Sequence, residues 1–479
     1  MKYVIQNRQP ASVFRFFEEI SAIPRGSYRE RKIADYLVAF ASARGLECYR
    51  DSTDNVFIKA PATSDRTDAA PILFQGHTDM VCEKNGDVEH DFLNDPLELY
   101  VDGNFLRAEG TTLGADDGIA VAVMLALLDG AVASHPAYEC LFTAAEEVGL
   151  DGARAFDYSR ISARRMVNLD SETLGVIVAG CAGGVRSDLT LCYHPVAFAG
   201  EALRVDVSGL AGGHSGEDIN SGRANANLLM GWLLAELIVQ TDARLVTLCG
   251  GSKDNAIPRE CSAVIAVPDP SAAQDLLTSA AARLCEELSA EDRGFRVAIE
   301  DCAPETVMLS AEDTKRAVTV LACARTGVLE MSKQIKGLVE YSRNLGVVRQ
   351  EEGKLTFTFS SRSPIENQLD ATERELNLFA ASVGCTANHH SRYPGWSYAP
   401  ASPLRDAYGR AYREVTDKEA VVNVIHAGLE CGIIHSHLPE MDMISVGPDM
   451  RDVHSPNETL DLSSVEIFWK TLERLIEAL

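Results

Sequence analysis

At 479 residues the chain is too long for one ordinary hydrophobic core, so it must divide into two or more domains. Hydrophobic residues at 46% and charged residues at 24% are typical of a soluble globular protein. A formal net charge of −26 argues against nucleic acid and against anionic membrane as partners.

Residues 1–25 lack the basic and apolar regions of an export signal, and the longest apolar run, Ile119 to Leu128, is about half a membrane span. A cytoplasmic protein is therefore expected. The 12 cysteines include no CxxC pair and read as reduced, packed thiols rather than disulfides or zinc ligands.

Apolar spacing over Ala11 to Ile23 predicts a first helix, with Ser12 at its N-cap and Pro24 ending it. A second amphipathic helix runs from Tyr28 to the capping Gly45. Leu46 to Lys59 alternates like strands. Ala70 to Phe74 predicts a short buried strand that delivers His77 and Asp79 just past its end. In α/β proteins, ligands gather outside the carboxyl ends of the strands.

Asp87 to Asp102 reads as acidic and irregular. Gly110, Gly114 and Gly118 then surround Asp116 and Asp117, ahead of a helix that is apolar on nearly every face and so buried. A carboxylate at a helix start is favoured by the helix dipole. Strand Tyr138–Ala144 leads into Glu146-Glu147, and strand Arg165–Leu169 into Asp170. Strands alternating with helices predict an α/β fold: a mostly parallel central sheet flanked by helices.

The character changes near Cys181. From Leu203 to Val383 the pattern reads β-α-β-β-α-β, then helix, strands, helix, strand. This predicts an inserted α+β domain of two similar lobes, although no internal sequence repeat is visible. After Pro403 the α/β style returns, with strands Val421–Ile425 and Asp442–Val446, a helix start near His426 to Cys431, and a last helix Leu462–Leu479. The expected organisation is 1–188 and 397–479 as one domain, interrupted by 189–396.

The strand-end groups are His77, Asp79, Asp116, Asp117, Glu146, Glu147, Asp170 and His454. So many carboxylates converging without a basic partner would repel one another at a cost of several kcal/mol. Divalent cations remove that cost, and imidazole with carboxylate is a zinc-type donor set. Two metals about 3.5–4 Å apart need a bridging carboxylate, and one acid near the water can serve as general base. The residues alone leave Asp116 or Asp117 as the bridge, and Glu146 or Glu147 as the base.

The motifs GHTDMV (76–81), GTTLGADDGIA (110–120), TAAEEVGLDGA (143–153), NLDSE (168–172), GLAGGHSGEDI (209–219), NAIPRE (255–260), YPGW (393–396), IHAGLECG (425–432) and HSP (454–456) occur in this order. On them the chain resembles the M20 metallopeptidase family, and within it the cytosolic aminoacyl-histidine dipeptidase branch. One departure is Asp117, where relatives often carry Asn.

The resemblance implies a metal-dependent exopeptidase-like catalytic domain with a lid. It implies His77 and Asp170 on one metal, Glu147 and His454 on the other, and Asp116 bridging. Asp79 would orient His77, and Glu146 would be the general base. His214 would stabilise the oxyanion from the lid. Asn255, Arg362, His426 and Glu430 are expected near the substrate: Asn255 and Arg362 for its carboxylate, Glu430 for its ammonium group. The implied cofactors are two divalent ions, zinc foremost, with manganese or cobalt as substitutes. The implied substrates are small peptides, with a homodimer through the lid domain. Alternatives are an N-acyl amino acid deacylase, a tripeptidase, or a non-catalytic binder on the same fold.

Overall fold

Val13, Phe16, Phe17 and Ile20 recur at helical spacing and form the buried face of α1 (Ala11–Ser21) in the computed structural model, which describes residues 3–198, 201–302 and 307–479. Pro10 rather than Ser12 occupies the N-cap position. Proline suits helix entry, and Ser12 already lies inside the first turn. Helix α2 (Arg31–Arg44) stops at Gly45, whose φ of 65° is the left-handed conformation glycine adopts without penalty.

Strands β1 (Glu47–Arg50), β2 (Val56–Ala60) and β3 (Ile72–His77) follow. Helix α3 (Ala115–Leu128) is buried along all 14 residues, as its apolar sequence requires. A Cβ at Gly76 would lie 2.5 Å from both Ala120 Cβ and Asp117 Oδ2, so only glycine lets β3 and α3 meet this closely. Strands β4 (Tyr138–Thr143), β5 (Arg165–Asn168) and β6 (Val176–Cys181) complete this part.

The inserted segment contains β7 (Gly183–Cys192), β8 (Glu201–Ser208), α4 (Ala226–Gln240), β9 (Arg244–Gly250), β10 (Cys261–Val267), α5 (Pro270–Glu287) and β11 (Arg296–Cys302). It continues through α6 (Ala311–Cys323), β12 (Gly327–Met331), β13 (Val339–Glu351), β14 (Lys354–Ser363), α7 (Glu366–Ser382) and β15 (Thr386–Tyr393). The chain ends with α8 (Pro403–Thr416), β16 (Val421–Ile425), α9 (Glu430–His437), β17 (Asp442–Ser445) and α10 (Leu462–Ala478). Among the described residues no helix is long and apolar enough to cross a membrane.

Two units emerge. The first comprises Met1–Gly180, Trp396–Val424 and Leu429–Leu479. Its eight-stranded sheet has the order β1-β2-β4-β3-β5-β17-β6-β16. The pairs β4–β3, β3–β5 and β5–β17 are parallel, while β1–β2, β2–β4 and β17–β6 are antiparallel. Helices α1, α2, α3, α8 and α10 contribute to its apolar core. The strands that deliver the acids, β4, β3 and β5, are immediate neighbours.

The second unit comprises Cys181–Gly395 and Ile425–Gly428. Its boundary corrects the one expected at residue 189. That position falls inside β7, which pairs along its length with β14 and with β15, so the strand cannot be divided from this unit. Its sheet runs β11-β8-β10-β9-β13-β14-β7-β15, with β12 beside β13. Strands β8 to β11 with α4 and α5 make one β-α-β-β-α-β lobe. Strands β7, β13, β14 and β15 with α6 and α7 make another with the same strand order, mirrored. Between the strands of the two lobes, the one ladder pair among the described residues is Gly250–Val348. The first lobe is nested inside the second, between β7 and α6.

Candidate metal centre

Asp116 is the geometric middle of the site. Its Oδ1 lies 3.1 Å from His77 Nε2, and its Oδ2 lies 3.0 Å from His454 Nε2. His77 Nε2 is also 3.8 Å from Asp170 Oδ1, and His454 Nε2 is 2.9 Å from Glu147 Oε1. Two three-residue sets result, His77–Asp116–Asp170 and Asp116–Glu147–His454, each with ligand atoms within 4.8 Å of one another. A third set, His77–Glu146–Glu147, brings Glu146 to the same place. In each of the first two sets, one imidazole nitrogen faces two carboxylate oxygens. That donor set fits a divalent cation.

Asp117 turns elsewhere: its Oδ2 accepts from the His77 backbone N–H at 3.1 Å, and it is fully buried. Asp79 sits behind both His77 and the acidic pair. His77 Nδ1 lies 3.2 Å from the Asp79 carbonyl and 3.4 Å from its Oδ1, which leaves Nε2 as the outward ligand atom. The same carboxylate accepts from the backbone N–H groups of Glu146, at 3.0 Å, and Glu147, at 3.3 Å.

Other residues tighten this frame, and none was foreseen from sequence. Glu458, 2% exposed, accepts backbone N–H groups from Leu113, Gly114, Ala115 and Asp116 at 2.8–3.3 Å. It thereby supplies the negative charge favoured at the start of α3. Buried Arg25 donates to the carbonyls of Thr78, Asp79 and Gly114. Glu30 accepts from Ala145 N–H at 2.9 Å and steadies a residue held at φ 52° just before Glu146. Their partners are backbone groups of distant segments. Only the acidic Glu458, four positions after His454, offered any signal.

Electrostatics agree with a cation site. Burial, followed by Asp117 and Asp116, pushes Asp170 well above the carboxylate range. Burial, with Glu430, Glu147 and Asp116, lifts Glu146 to about 8. Asp116, then Glu147, raises His454 to about 10. Burial opposes the charge on Asp116 and on His77, yet their mutual hydrogen bond and His454 hold Asp116 low, while Asp116 and Asp79 hold His77 high.

The second unit holds its own cluster. Arg362, 8% exposed, donates from Nη1 to the Tyr393 hydroxyl at 3.0 Å, and its Nε is buried without a partner among the described residues. Burial, then Arg362, lowers both His214 and His426, the latter to about 3. His426 Nε2 pairs with Ser342 Oγ at 2.7 Å. His214 Nδ1 accepts from Glu217 N–H at 3.3 Å, so Nε2 carries the proton. Asn255 is exposed, and its carbonyl accepts from Ser215 N–H at 2.8 Å.

Glu430 departs from expectation. It is fully buried in the first unit, with Oε2 accepting from Gln75 Nε2 at 2.5 Å and from Thr143 Oγ at 2.6 Å. An ammonium group from solvent has no access to such a carboxylate, so Glu430 leaves the substrate-binding set.

The model of peptidase family M20/M25/M40 matches residues 73–478. The chain belongs to this family. This M20 chain is 35% identical to the cytosol non-specific dipeptidase of Escherichia coli (strain K12), over 98% of its own length and 97% of the relative's. It is similar to the crystal structure of aminoacylhistidine dipeptidase from Vibrio alginolyticus, with a TM-score of 0.93, 36% identity, and coverage of 99% of this chain and 97% of that one. Aminopeptidase PepT from Bacillus cereus ATCC 10987 shares the fold, at a TM-score of 0.56 and 16% identity over 97% of each chain.

Proposed function

We propose that this M20 peptidase is a cytoplasmic two-metal dipeptidase of broad specificity that includes Xaa-His dipeptides. The observation that carries the reading is Asp116, with one oxygen toward each of two imidazoles that have carboxylates of their own. His77, Asp116 and Asp170 would hold one divalent cation, and Asp116, Glu147 and His454 a second. Zinc suits this mixture of nitrogen and oxygen donors, and manganese or cobalt can replace it. Bound there, the cations would neutralise the acids, polarise the peptide carbonyl and lower the pKa of a water.

Glu146 is the general base in this reading. It reaches the cluster yet belongs to neither of the two sets that share Asp116. Its carboxylate takes a proton from the attacking water and returns it to the leaving amine nitrogen. Asp79 keeps His77 turned with Nε2 outward and holds the backbone of Glu146 and Glu147. His214 donates Nε2–H to the carbonyl oxygen as it gains charge. Arg362, anchored by Tyr393, receives the peptide carboxylate with Asn255, and buried neutral His426 shapes that pocket. The outer face of α4, where Trp232 is 41% and Val239 84% exposed, is the surface on which we place a homodimer contact.

Chelator-treated protein assayed on dipeptides, tripeptides and N-acetyl amino acids, with and without Zn²⁺, Mn²⁺ or Co²⁺, tests the reading. Activity is expected only with metal and mainly on dipeptides. Preference for the acetylated compounds would replace it with a deacylase. Glu146→Ala is expected to keep two metals per chain while turnover falls by about 10²–10⁴-fold. Substantial activity in that variant would remove Glu146 as the base.

A further inference from the structure

Three adjacent strand ends carry most of the site, and one carboxylate joins them from behind. Thr143 is the last residue of β4, three before Glu146. Gln75 lies on β3, two before His77. Asn168 is the last residue of β5, two before Asp170. Gln75 and Asn168 are direct cross-strand neighbours, as are His77 and Thr143. Glu430, at the start of α9, accepts from both Thr143 Oγ and Gln75 Nε2. Gln75 Nε2 also reaches Thr143 Oγ at 3.2 Å, and Gln75 Oε1 accepts from Asn168 Nδ2 at 2.7 Å. All four side chains are fully buried.

Stability does not account for this arrangement. A carboxylate in a dry interior, met only by neutral donors and close to other acids, is a cost, and a hydrophobic side chain of similar volume would avoid it. Glu430 Oε1, Asn168 Oδ1 and Ser445 Oγ are also buried without hydrogen-bond partners among the described residues. What the network supplies instead is register. Each donor sits on a different strand, and each strand delivers a different site residue. We propose that Glu430 is a positioning residue that fixes the spacing of the strand ends bearing His77, Glu146-Glu147 and Asp170.

The proposal rests on the two-metal reading, and cobalt separates the two. Wild-type protein that takes up no Co²⁺ would overturn the two-metal reading itself. If the wild type binds two, Glu430→Leu is expected to fold normally by circular dichroism but to bind Co²⁺ on the order of tenfold more weakly. Its visible cobalt spectrum should shift, and kcat should fall with little change in KM. Glu430→Gln, which keeps one acceptor oxygen, should recover most of the loss. A Leu variant with wild-type cobalt affinity and spectrum would overturn the positioning role. Should that variant fail to fold, Thr143→Val removes one donor at constant volume, and an unchanged spectrum there is equally decisive against it.

Discussion

Arg362 commits one guanidinium nitrogen to the Tyr393 hydroxyl, and its buried Nε has no hydrogen-bond partner among the described residues. A lysine has a single ammonium group and cannot hold Tyr393 and also present a fork to a carboxylate. Arg362→Lys should therefore raise KM for dipeptides by about 10–100-fold, the worth of one charge-assisted hydrogen bond. Dipeptide amides, which lack that carboxylate, should be affected far less. Steady-state kinetics on the two substrate series check this. At this scale His77, Glu146-Glu147 and Asp170 were legible because each follows an apolar strand, and Asp116 because it opens an apolar helix. Arg25, Glu30 and Glu458 were not, because they bind backbone groups far away in sequence. Glu430 was legible as a residue of interest, but its partners Gln75 and Thr143 carry no pattern of their own.

Helices α4 and α6 come so close that a Cβ at Gly231 would meet Leu321 Cβ at 2.6 Å and the Leu321 backbone at 2.8 Å. Helix propensity alone favours alanine over glycine by roughly 1 kcal/mol. The backbone contact cannot yield as a side-chain tip can, so overpacking of about 1–3 kcal/mol decides the sign. Gly231→Ala is expected to lower stability in urea denaturation, and an unchanged or raised midpoint would show that the helices can part. The buried character of α3 and the strand feeding His77 were readable from sequence. Strand β15 was expected only as the last strand in the order of elements: as an edge strand with the sequence TANHHSRY it has no apolar alternation to mark its bounds. Strand β13 hides its period behind Gly346 and a register shift between Leu345 and Val347. In β7 the alternation of Val185, Leu189 and Leu191 with polar residues is clear, but the strand opens on Gly183 and Gly184, which carry no side chain to read.

For the whole molecule, the acids and imidazoles make metal-free stability depend on pH. Burial holds Glu146 at about 8 and Glu430 at about 7, and Asp116 and Glu147 hold His454 at about 10. All three lie above their unfolded values, so the folded state binds more protons than the unfolded one. For the two glutamates, stability falls as pH rises from about 4.5 through 8. For His454 the stabilising contribution is complete below about 6.5 and is lost toward 10. The thermal midpoint of metal-free protein should thus drop between about pH 5.5 and 8.5. The metal-loaded protein, whose ligands are already deprotonated, should change less. Equal slopes for the two forms would contradict this. The nested organisation was legible from the separation of His77 and His454, and the two lobes of the second unit from the order of its elements. Its first residue was expected at 189, although the character of the sequence already changes near Cys181, where the second unit begins.

Strand β17 lies between β5 and β6 in the first unit's sheet, although β5 and β6 are consecutive in the chain. During synthesis that slot stays empty while the whole second unit is made. About 280 residues separate Asp170 from His454, a delay of roughly 15–60 s at about 5–20 residues per second. The nascent chain therefore owns His77, Asp116 and Asp170 long before His454 exists. On the two-metal reading proposed above, one set of ligands is complete during translation, whereas the other set, and the sheet itself, close only when the carboxyl-terminal segment leaves the ribosome.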